Sequence, residues 1–469
     1  MTTRSNRLGS PTPRPLSNWT IAAGALVVLA IAAVVGFVLL RRYGGQASPV
    51  QLDAIRTAGT LVIGTGGAVA LLLTARRQRY TELTLVHTDR DATERRITEL
   101  YSKAADQLGS DQAPVRLTGL YALERLAHST VEHRQTMVDV ICAYLRMPYR
   151  PPPQPTPSVF GRSYRSAGPT RRRRARTLTD RSSTSRGSQA QPERQVRLTA
   201  QDILFRNLRV VAQRRGRWWH RTPPPAPAWP GIRLNLTGAL LLEFSLSECQ
   251  LDYADFTDAR FAGDTSFEGA RFAGRAIFES AQFADEASFN GAQFDGEVFF
   301  ENARFADEAS FEGAQFAGRA YFRYAQFADG AFEGAQFAGR AYFEGAQFAG
   351  RTHYRYAQFG GGASFGHAQF GGAATFEGAW FGGGAFFEGA WFGGGAFFEG
   401  AQFAGWAIFE GAWFGGGAFF GDARVARAAK PGTVWPPGWT TRPAKPRDRE
   451  NPDFRYLTQS EDGGHPLDV

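Results

Sequence analysis

At 469 residues the chain is long enough for two or three domains, and its formal net charge of +9 is unevenly distributed. Residues 235–421 hold 23 acidic residues against nine arginines and no lysine, about −14, so the remainder carries about +23. This division is typical of regions that meet different surroundings, here an anionic membrane surface and the solvent. With only two cysteines, Cys142 and Cys249, the chain has neither a disulfide framework nor a thiolate zinc site.

Two apolar runs within residues 1–80 predict a transmembrane hairpin. Residues 19–40 carry no charge and are long enough to cross the roughly 30 Å hydrocarbon layer, although a signal peptide is the alternative. Residues 57–75 are richer in glycine and threonine and would also fit a buried helix. Arginines before the first run and after the second favour both ends in the cytoplasm, and arginines in the connection weaken that inference. We therefore expect a two-pass protein of the cell membrane, with its downstream domain in the cytoplasm.

Residues 81–149 have the pattern of a small juxtamembrane helical segment. Ile97, Tyr101 and Ala104 recur at helical spacing with charges between them, and the glycine at 109 ends that helix. Two further amphipathic stretches predict two more helices. His128 lies near a turn in this segment, but no carboxylate or thiol recurs at ligand spacing, so no metal site is expected.

Residues 150–195 are rich in proline, serine and arginine, which is typical of a disordered linker. The run RRRRAR at 171–176 is a candidate for binding nucleic acid or anionic lipid. Without interleaved aromatic residues, a solvated basic linker near the inner membrane face is the favoured interpretation. Residues 196–213 then predict one amphipathic helix, within a segment 196–234 that covers the start of the next domain.

From Leu241 to Phe420 a large apolar residue recurs at fixed intervals, first every five residues and then at alternating steps of five and six. An alanine precedes nearly every one by two positions. Steps of five residues would turn an α-helix by about 500° and scatter the phenylalanines around it. A stacked β-solenoid fits instead, with the alanine and the large residue both pointing inward. The expected core column contains Phe267, Phe272, Phe278, Phe283, Phe289, Phe294 and Phe316.

The stretch LDYADFTDARF at 251–261 is similar to the pentapeptide-repeat family. That resemblance implies a mainly β fold, a right-handed quadrilateral β-helix with four repeats per coil, over residues 235–421. The alternating steps would make coils of 22 residues rather than 20, with the added residues at corners, and one step between Phe327 and Phe332 is a residue short. The chain also resembles membrane-anchored bacterial proteins of this family that carry TELYSKAADQLGSDQAPVRLTGLYALERLA before the repeats, a layout that implies no activity. The tail, 422–469, is expected to cover the far end with its tryptophans.

Carboxylates are the candidates for chemistry in the repeats. Asp285-Glu286 and Asp307-Glu308 lie one coil apart and should stack at one corner, where they could collect Ca²⁺. Arg351 occupies the equivalent place further on, so a solvated acidic edge is favoured. No Ser-His-Asp order, phosphate-binding loop or repeated His/Cys ligands occur. The sequence predicts no enzyme, no metal site and no cofactor.

One face of the predicted solenoid carries an outward apolar stripe, interrupted only by Ser364. Such a stripe is typical of an interface, although drift in a duplicated array is the alternative. We expect a membrane-tethered, non-enzymatic scaffold that binds a protein partner or a second copy of itself. Some pentapeptide-repeat proteins mimic duplex DNA and protect a topoisomerase, and this is the alternative. Because the acidity is modest and thins after Arg355, nucleic-acid mimicry and nucleic-acid binding are less favoured. The residues of the stripe are Ile277, Phe299, Tyr321, Tyr342, Phe386 and Ile408.

Overall fold

The computed structural model describes residues 93–149, 181–211, 226–426, 432–443 and 454–459, with isolated positions between 30 and 78. The chain divides into two compact units, Met1–Thr98 and Glu99–Val469. In the first unit, the described positions between 30 and 78 are helical. No helix in the described part of the chain is long and apolar enough to cross a membrane. Most of the two predicted spans, 19–40 and 57–75, lies outside the described residues.

Helices form the first part of the second unit. Residues 99–108 of this unit are helical and are followed by helices Ala113–Ser129 and Arg134–Arg146, with a 3₁₀ turn at Val131–His133 between the last two. A longer helix spans Arg181–Leu208. Leucines of the second helix and aliphatic residues of the third point into a shared core, because they recur every three or four positions along each helix. The buried residues at this contact are Leu120, Leu123, Leu126, Val138, Ile141 and Leu145.

The last helix corrects two boundaries that the sequence predicts. It begins at Arg181, inside the segment 150–195 that was expected to be a disordered linker, and it ends at Leu208 rather than 213. The carboxylate of Glu193, which lies in that segment, accepts hydrogen bonds from Arg116 at 2.8 Å, Tyr144 at 2.9 Å and Arg197 at 3.0 Å. A polar residue therefore joins this helix to two others through partners far away in sequence, which composition alone does not reveal.

This helix and its neighbours cover the first coil of the β domain. The Gln201 side chain exchanges two hydrogen bonds with the Leu242 backbone, at 2.7 and 3.0 Å. In the same way Gln135 bonds both backbone groups of Arg233, at 2.7 and 3.0 Å. Trp229 is fully buried at this end. Because a solenoid exposes unpaired strand edges at its ends, these contacts protect the first coil from pairing with other chains.

Residues 233–426 form a parallel β-solenoid of nine coils with four faces. The first face is a nine-stranded sheet, and strands of the second and third faces join into one 15-stranded sheet. The strands of the first face are Arg233–Asn235, Tyr253–Asp255, Ala276–Ile277, Val298–Phe299, Ala320–Tyr321, Ala341–Tyr342, Ala363–Ser364, Ala385–Phe386 and Ala407–Ile408. Those of the second face are Leu240–Leu242, Arg260–Ala262, Gln282–Phe283, Gln347–Phe348, Gln369–Phe370, Trp391–Phe392 and Trp413–Phe414.

The third and fourth faces complete each coil. Strands Arg304–Ser310 and Gln326–Ala331 run from the second face into the third, which is why these two faces share a sheet. The other strands of the third face are Thr265–Ser266, Ala287–Ser288, Thr352–His353, Ala374–Thr375, Ala396–Phe397 and Ala418–Phe419. The strands of the fourth face are Gln250–Leu251, Arg271–Phe272, Gln293–Phe294, Gln315–Phe316, Gln336–Phe337, Gln358–Phe359, Trp380–Phe381, Gln402–Phe403 and Arg424–Ala426.

Strand register follows the 22-residue coil that the sequence predicts, so that Ile277 pairs with Phe299 and Phe299 with Tyr321. The short step shifts the numbering by one, and Tyr321 pairs with Tyr342. This irregularity lies at the corner between the second and third faces, where the pairing of Arg304–Ser310 with Gln326–Ala331 skips a position.

The interior is four columns of aromatic rings. The seven phenylalanines expected in the core are all at most 1% exposed. Rings stack from coil to coil, with centroids 5.1 Å apart for Phe294 and Phe316 and 4.8 Å for Phe289 and Phe267. Rings of opposite faces meet edge to face, as Phe278 of the first face does with Phe289 of the third at 5.5 Å. Both geometries suit the quadrupole of an aromatic ring, so the columns stabilise each other beyond the area they bury.

Glycines at the corner between the fourth and first faces let successive coils approach closely. A Cβ atom on Gly296 would lie 2.5 Å from the carbonyl oxygen of Gly274, and one on Gly318 would overlap the carbonyl of Gly296. This contact explains the glycine in the repeated AGR of the sequence.

The far end of the solenoid is covered by residues of the C-terminal tail. Trp435 packs on Phe403 and Phe409, with ring centroids 5.4 and 6.0 Å apart. Strands Phe454–Gln459 and Trp439–Pro443 continue the sheet of the fourth face in antiparallel pairing. The sheet therefore extends beyond residue 421, which is the end of the β-helix predicted from the sequence.

Candidate interaction surface

Each face of a coil is built on the same three residues, an inward alanine, an outward residue and an inward phenylalanine. In Ala276-Ile277-Phe278, for example, the first and third residues are fully buried and the second is partly exposed. Alternate residues of a strand point to opposite sides, so the outward residue is free to vary while the interior stays constant. The surface of this protein is therefore determined by the middle residues and the corners.

The first face carries the predicted stripe in unbroken register. Strand pairing sets each of its residues directly beside the next, and Ser364 lies between Tyr342 and Phe386. The rings of Phe299 and Tyr321 stack at 4.8 Å, and those of Tyr321 and Tyr342 at 5.0 Å. The stripe residues are half-buried rather than fully exposed. They form a shallow row whose rings stack on one another along the solenoid.

Arginines lie against this row of rings. The Arg275 guanidinium is 5.4 Å from the centre of the Phe299 ring, and that of Arg323 is 4.7 Å from the Tyr342 ring and 5.5 Å from the Tyr321 ring. These are cation–π distances, and they keep the charged groups next to the apolar row.

Charged rows border the first face on both sides. The edge that precedes the face, defined by residues 275, 297, 319 and 340, holds three arginines and one glutamate. Its Glu297 pairs with Arg275 at 3.4 Å and with Arg319 at 3.8 Å. The edge that follows the face, residues 279, 301, 323 and 344, holds three glutamates and one arginine.

Ion pairs also run along this second row. Arg323 pairs with Glu301 at 3.6 Å and with Glu344 at 3.2 Å. Burial raises the pKa of the Glu301 carboxyl, and Arg323 opposes that shift. Arg323 therefore links glutamates of the coils before and after its own, so this part of the row is a structured border rather than a set of independent charges.

Aromatic side chains that are more exposed than the stripe lie on the last coils. Trp413 is 52% and Phe419 43% exposed, against the half-buried stripe. Trp391 and Trp413 stack on the second face with centroids 5.5 Å apart, and Phe397 and Phe419 stack on the third face at 5.1 Å. The aromatic surface thus spreads around the C-terminal coils instead of following one face. The other exposed tryptophans are Trp380 and Trp406.

The three GGG triplets from residue 382 onward are explained by these rings. The indole of Trp391 lies 2.5 Å from where Gly393 would carry a Cβ atom, and the Phe397 ring lies 2.8 Å from the Cβ position of Gly395. An aromatic ring from each adjoining face therefore covers the corner, one over the first glycine and one over the third. Any larger residue at either position would displace a ring.

Two exposed tyrosines were not predicted from the sequence. Tyr324 is 62% and Tyr356 63% exposed, and both occupy turn positions with a backbone φ of 56°. A non-glycine residue in this left-handed region is strained, and glycine fills most equivalent corners. Their rings lie over Gly345 and Gly378 of the next coil. The break in the repeated Glu-Gly pair was the only available clue.

The acidic corner that was a candidate calcium site binds backbone instead. The carboxylate of Asp285 accepts the Gly263 N–H at 2.7 Å, and that of Asp329 accepts the Arg351 N–H at 2.7 Å. Within the described ranges, no three His, Cys, Asp or Glu side chains are grouped so that they could hold a metal ion. A shallow groove of about 560 Å³ lies beside this corner at the short step, lined by Glu308, Asp329, Arg351 and His353.

Neither cysteine is a candidate nucleophile. Burial raises the pKa of the Cys142 and Cys249 thiols to about 12, so both are protonated at neutral pH.

Comparison with known families agrees with this geometry. Six overlapping segments that together span residues 246–413 match the family model described as pentapeptide repeats (9 copies). These residues carry pentapeptide repeats. No curated protein matches the chain, and no solved structure does. The matched segments cover the aromatic stripe and the four exposed tryptophans named above, and such a solenoid is a structural fold that is not typically catalytic.

Proposed function

We propose that this chain is a membrane-tethered, non-enzymatic scaffold whose first face binds another protein surface. A pentapeptide-repeat solenoid fits a protein-interaction or scaffold role. The observation that carries the proposal is the stacked row of Phe299, Tyr321 and Tyr342, aligned by strand pairing and held between two rows of paired charges. An apolar strip with a polar border is the composition of a protein interface, with aromatic residues at its centre and charges at its rim.

The tether is proposed from the sequence. Residues 19–40 and 57–75 are apolar and flanked by arginines, which supports a two-pass anchor with the solenoid in the cytoplasm. A reporter that is active only outside the cell, fused after residue 196, should then give no signal. A strong signal from that fusion would overturn the two-span topology.

The interaction surface can be tested with matched triple variants of the full chain. Replacing Phe299, Tyr321 and Phe386 by serine removes three of the four aromatic side chains of the row without touching the interior, so the fold should persist while association is lost. The control replaces the outward Gln293, Gln315 and Gln336 of the fourth face by serine. Affinity capture should recover the same partner with the parent and the control but not with the first-face variant. If the first-face variant still captures it, the binding surface lies elsewhere.

The acidic charge of the repeats favours the scaffold over the DNA-mimic alternative. Between 356 and 421 there is no arginine or lysine and only four glutamates, so the acidic rows are not continuous along the rod. If the purified chain has no effect on DNA supercoiling, that result agrees with the scaffold. Strong inhibition at low concentration would restore the alternative.

A further inference from the structure

The two charged edges of the first face have opposite sign. The preceding edge, Arg275, Glu297, Arg319 and Arg340, sums to +2, and the following edge, Glu279, Glu301, Arg323 and Glu344, sums to −2. The apolar row runs between them, because each edge residue lies two positions from the outward residue of its coil. A surface with one positive and one negative border is able to complement a copy of itself.

Two symmetric ways exist to place two copies of this face together. A two-fold axis perpendicular to the rod, through the middle residue Tyr342, makes the rods antiparallel and sets each edge against the same edge of the other copy. Glutamates then oppose glutamates in three places: Glu344 meets its own counterpart, Glu279 meets Glu410, and Glu301 meets Glu388. Arg340 likewise meets Arg340. This arrangement concentrates like charges at a partly buried rim.

An axis parallel to the rod makes the two rods parallel and sets the positive edge of each copy against the negative edge of the other. In the same coil Arg275 then meets Glu279, and Arg340 meets Glu344. Between them Glu297 meets Glu301 and Arg319 meets Arg323. These two contacts between like charges lie on adjacent coils. Glu297 of one copy is therefore diagonally across from Arg323 of the other, and Arg319 is diagonally across from Glu301.

The downstream coils add no like-charge contact to the parallel arrangement. Glu388 and Glu410 of one copy lie opposite Gly384 and Trp406 of the other. The small Ser364 leaves space beside Tyr342. Electrostatics therefore favours the parallel over the antiparallel arrangement.

We propose that the partner of the first face is a second copy of this chain, docked face to face with parallel rods. The inference rests on the proposed role of this face as an interaction surface and names its occupant. Parallel rods also place both N-terminal ends at the same end of the dimer, as two chains anchored in one membrane require. The face is about 30 Å long and about 15–20 Å wide with its edges, so each copy buries about 450–600 Å². That is the low end for a specific interface, and the dimer should dissociate measurably at micromolar concentration.

Charge reversal tests the pairing of the two edges. In the full chain, Arg340→Glu opposes Glu344 of the other copy, and Glu344→Arg opposes its Arg340, so each should weaken dimerisation at least tenfold in sedimentation equilibrium. The double variant restores opposite charges and should recover most of the parent affinity. In an antiparallel dimer either change only exchanges one like-charge contact for another, and the double variant would rescue nothing. Thermal unfolding of every variant should match that of the parent chain. For Glu344→Arg this result would show that the ion pair of Glu344 with Arg323, at 3.2 Å, is not needed for folding.

Cross-linking tests the direction of the rods. One preparation carries Arg340→Cys and another carries Glu344→Cys, and a short bis-maleimide is added to each alone and to their mixture. The two native cysteines are buried and do not compete. Parallel rods predict a cross-link in the mixture and almost none in either preparation alone, whereas a cross-link with Glu344→Cys alone would show antiparallel rods and overturn the proposal.

A parent chain that stays monomeric at the highest concentration, with no cross-link in the mixture, would also overturn the self-association. If the first-face triple variant nevertheless lost a captured partner in the test above, the interaction surface would stand and only its occupant would be wrong. If the parent chain is monomeric and the first-face triple variant still captures the same partner, the proposed function is wrong as well.

Discussion

The upstream and downstream coils of the solenoid share one interior but have different surfaces. Between residues 271 and 348 the corners carry arginines and glutamates that pair from coil to coil, as Arg275 does with Glu297 at 3.4 Å. From 382 onward three corners are GGG triplets covered by aromatic rings. Ring stacking inside is the same in both regions, with centroids 4.9 Å apart for Phe300 and Phe322 and 4.8 Å for Phe398 and Phe420.

The difference shows that fold and surface are separable in this architecture. Because alternate residues point in opposite directions, the inward alanine and phenylalanine maintain the coil whatever lies outside. Ion pairs and aromatic ladders are then two ways of covering the same corner. They differ in how they respond to salt and in what they can recognise, since an exposed ion pair is screened and an aromatic ladder is not.

The largest effect should come from removing an interior ring, and it should be equal in both regions. Phe316→Ala upstream and Phe398→Ala downstream should each lower the free energy of unfolding by about 3–5 kcal/mol, because each leaves a cavity in a continuous column. Both rings are at most 1% exposed. Denaturant unfolding of the two variants gives the comparison. A much smaller loss at Phe398 would mean that the downstream interior is packed less tightly than its geometry indicates.

A smaller loss should follow from adding a methyl group at the close corner. Gly318→Ala forces a Cβ atom onto the backbone of Gly296 and should cost about 2–3 kcal/mol. Gly313→Ala, in the same coil, is the control: its Cβ would meet no atom within 4 Å, and only its φ of +64° is strained. The control should cost about 1 kcal/mol. Equal losses in thermal unfolding would show that the coils can separate to admit the methyl group.

Tyr354 lies in the phenylalanine column at the boundary between the two regions, and its replacement should be stabilising. The residue is fully buried, its hydroxyl has no hydrogen-bond partner among the described residues, and burial raises its pKa well above the usual value. Tyr354→Phe removes the unsatisfied group and keeps the ring stack with Phe332 and Phe376, at 4.8 and 4.9 Å. The expected gain is about 1 kcal/mol in the free energy of unfolding. A loss of stability would indicate that the hydroxyl is hydrogen-bonded.

The smallest effects should separate the two surfaces by their response to salt. Arg323→Gln removes a guanidinium that pairs with two glutamates and should cost less than about 1 kcal/mol, with the difference vanishing in high salt. Trp391→Gln, which introduces the residue found at most equivalent upstream positions, removes the stack with Trp413. Its loss, also below about 1 kcal/mol, should persist in high salt. Two losses with the same salt dependence would mean that the surfaces are not held by different forces.

Much of the solenoid could be read from the sequence because its signal is periodic. The steps of five and six residues, the alanine two places before each phenylalanine and the short step at Phe327 all correspond to features of the coils. The row from Ile277 to Ile408 could be placed on one face for the same reason, since the coil length fixes which residues become neighbours. The arginines that lie over Phe299 and Tyr342 could not be foreseen, because their positions depend on contacts between neighbouring coils.

Features that depend on contacts between residues far apart in the chain could not be predicted from the sequence. Glu193 looks like one more polar residue in a linker, but its partners Arg116 and Tyr144 make it a junction of three helices. Strands Trp439–Pro443 and Phe454–Gln459 pair antiparallel at the end of a parallel stack. They lie outside the repeats, so the periodic pattern does not predict them. The exposure of Trp406 and Phe419 likewise follows from their place on the last coils.

The sequence by itself determined the coil, its interior and the order of the outward residues, because a repeat needs only its nearest copies to specify a local structure. Tertiary structure decided which outward rings are covered, which charges are paired and how both ends of the stack are closed. Those outcomes depend on side chains from different faces and different coils meeting in space, and the spacing of residues along the chain carries no record of such meetings.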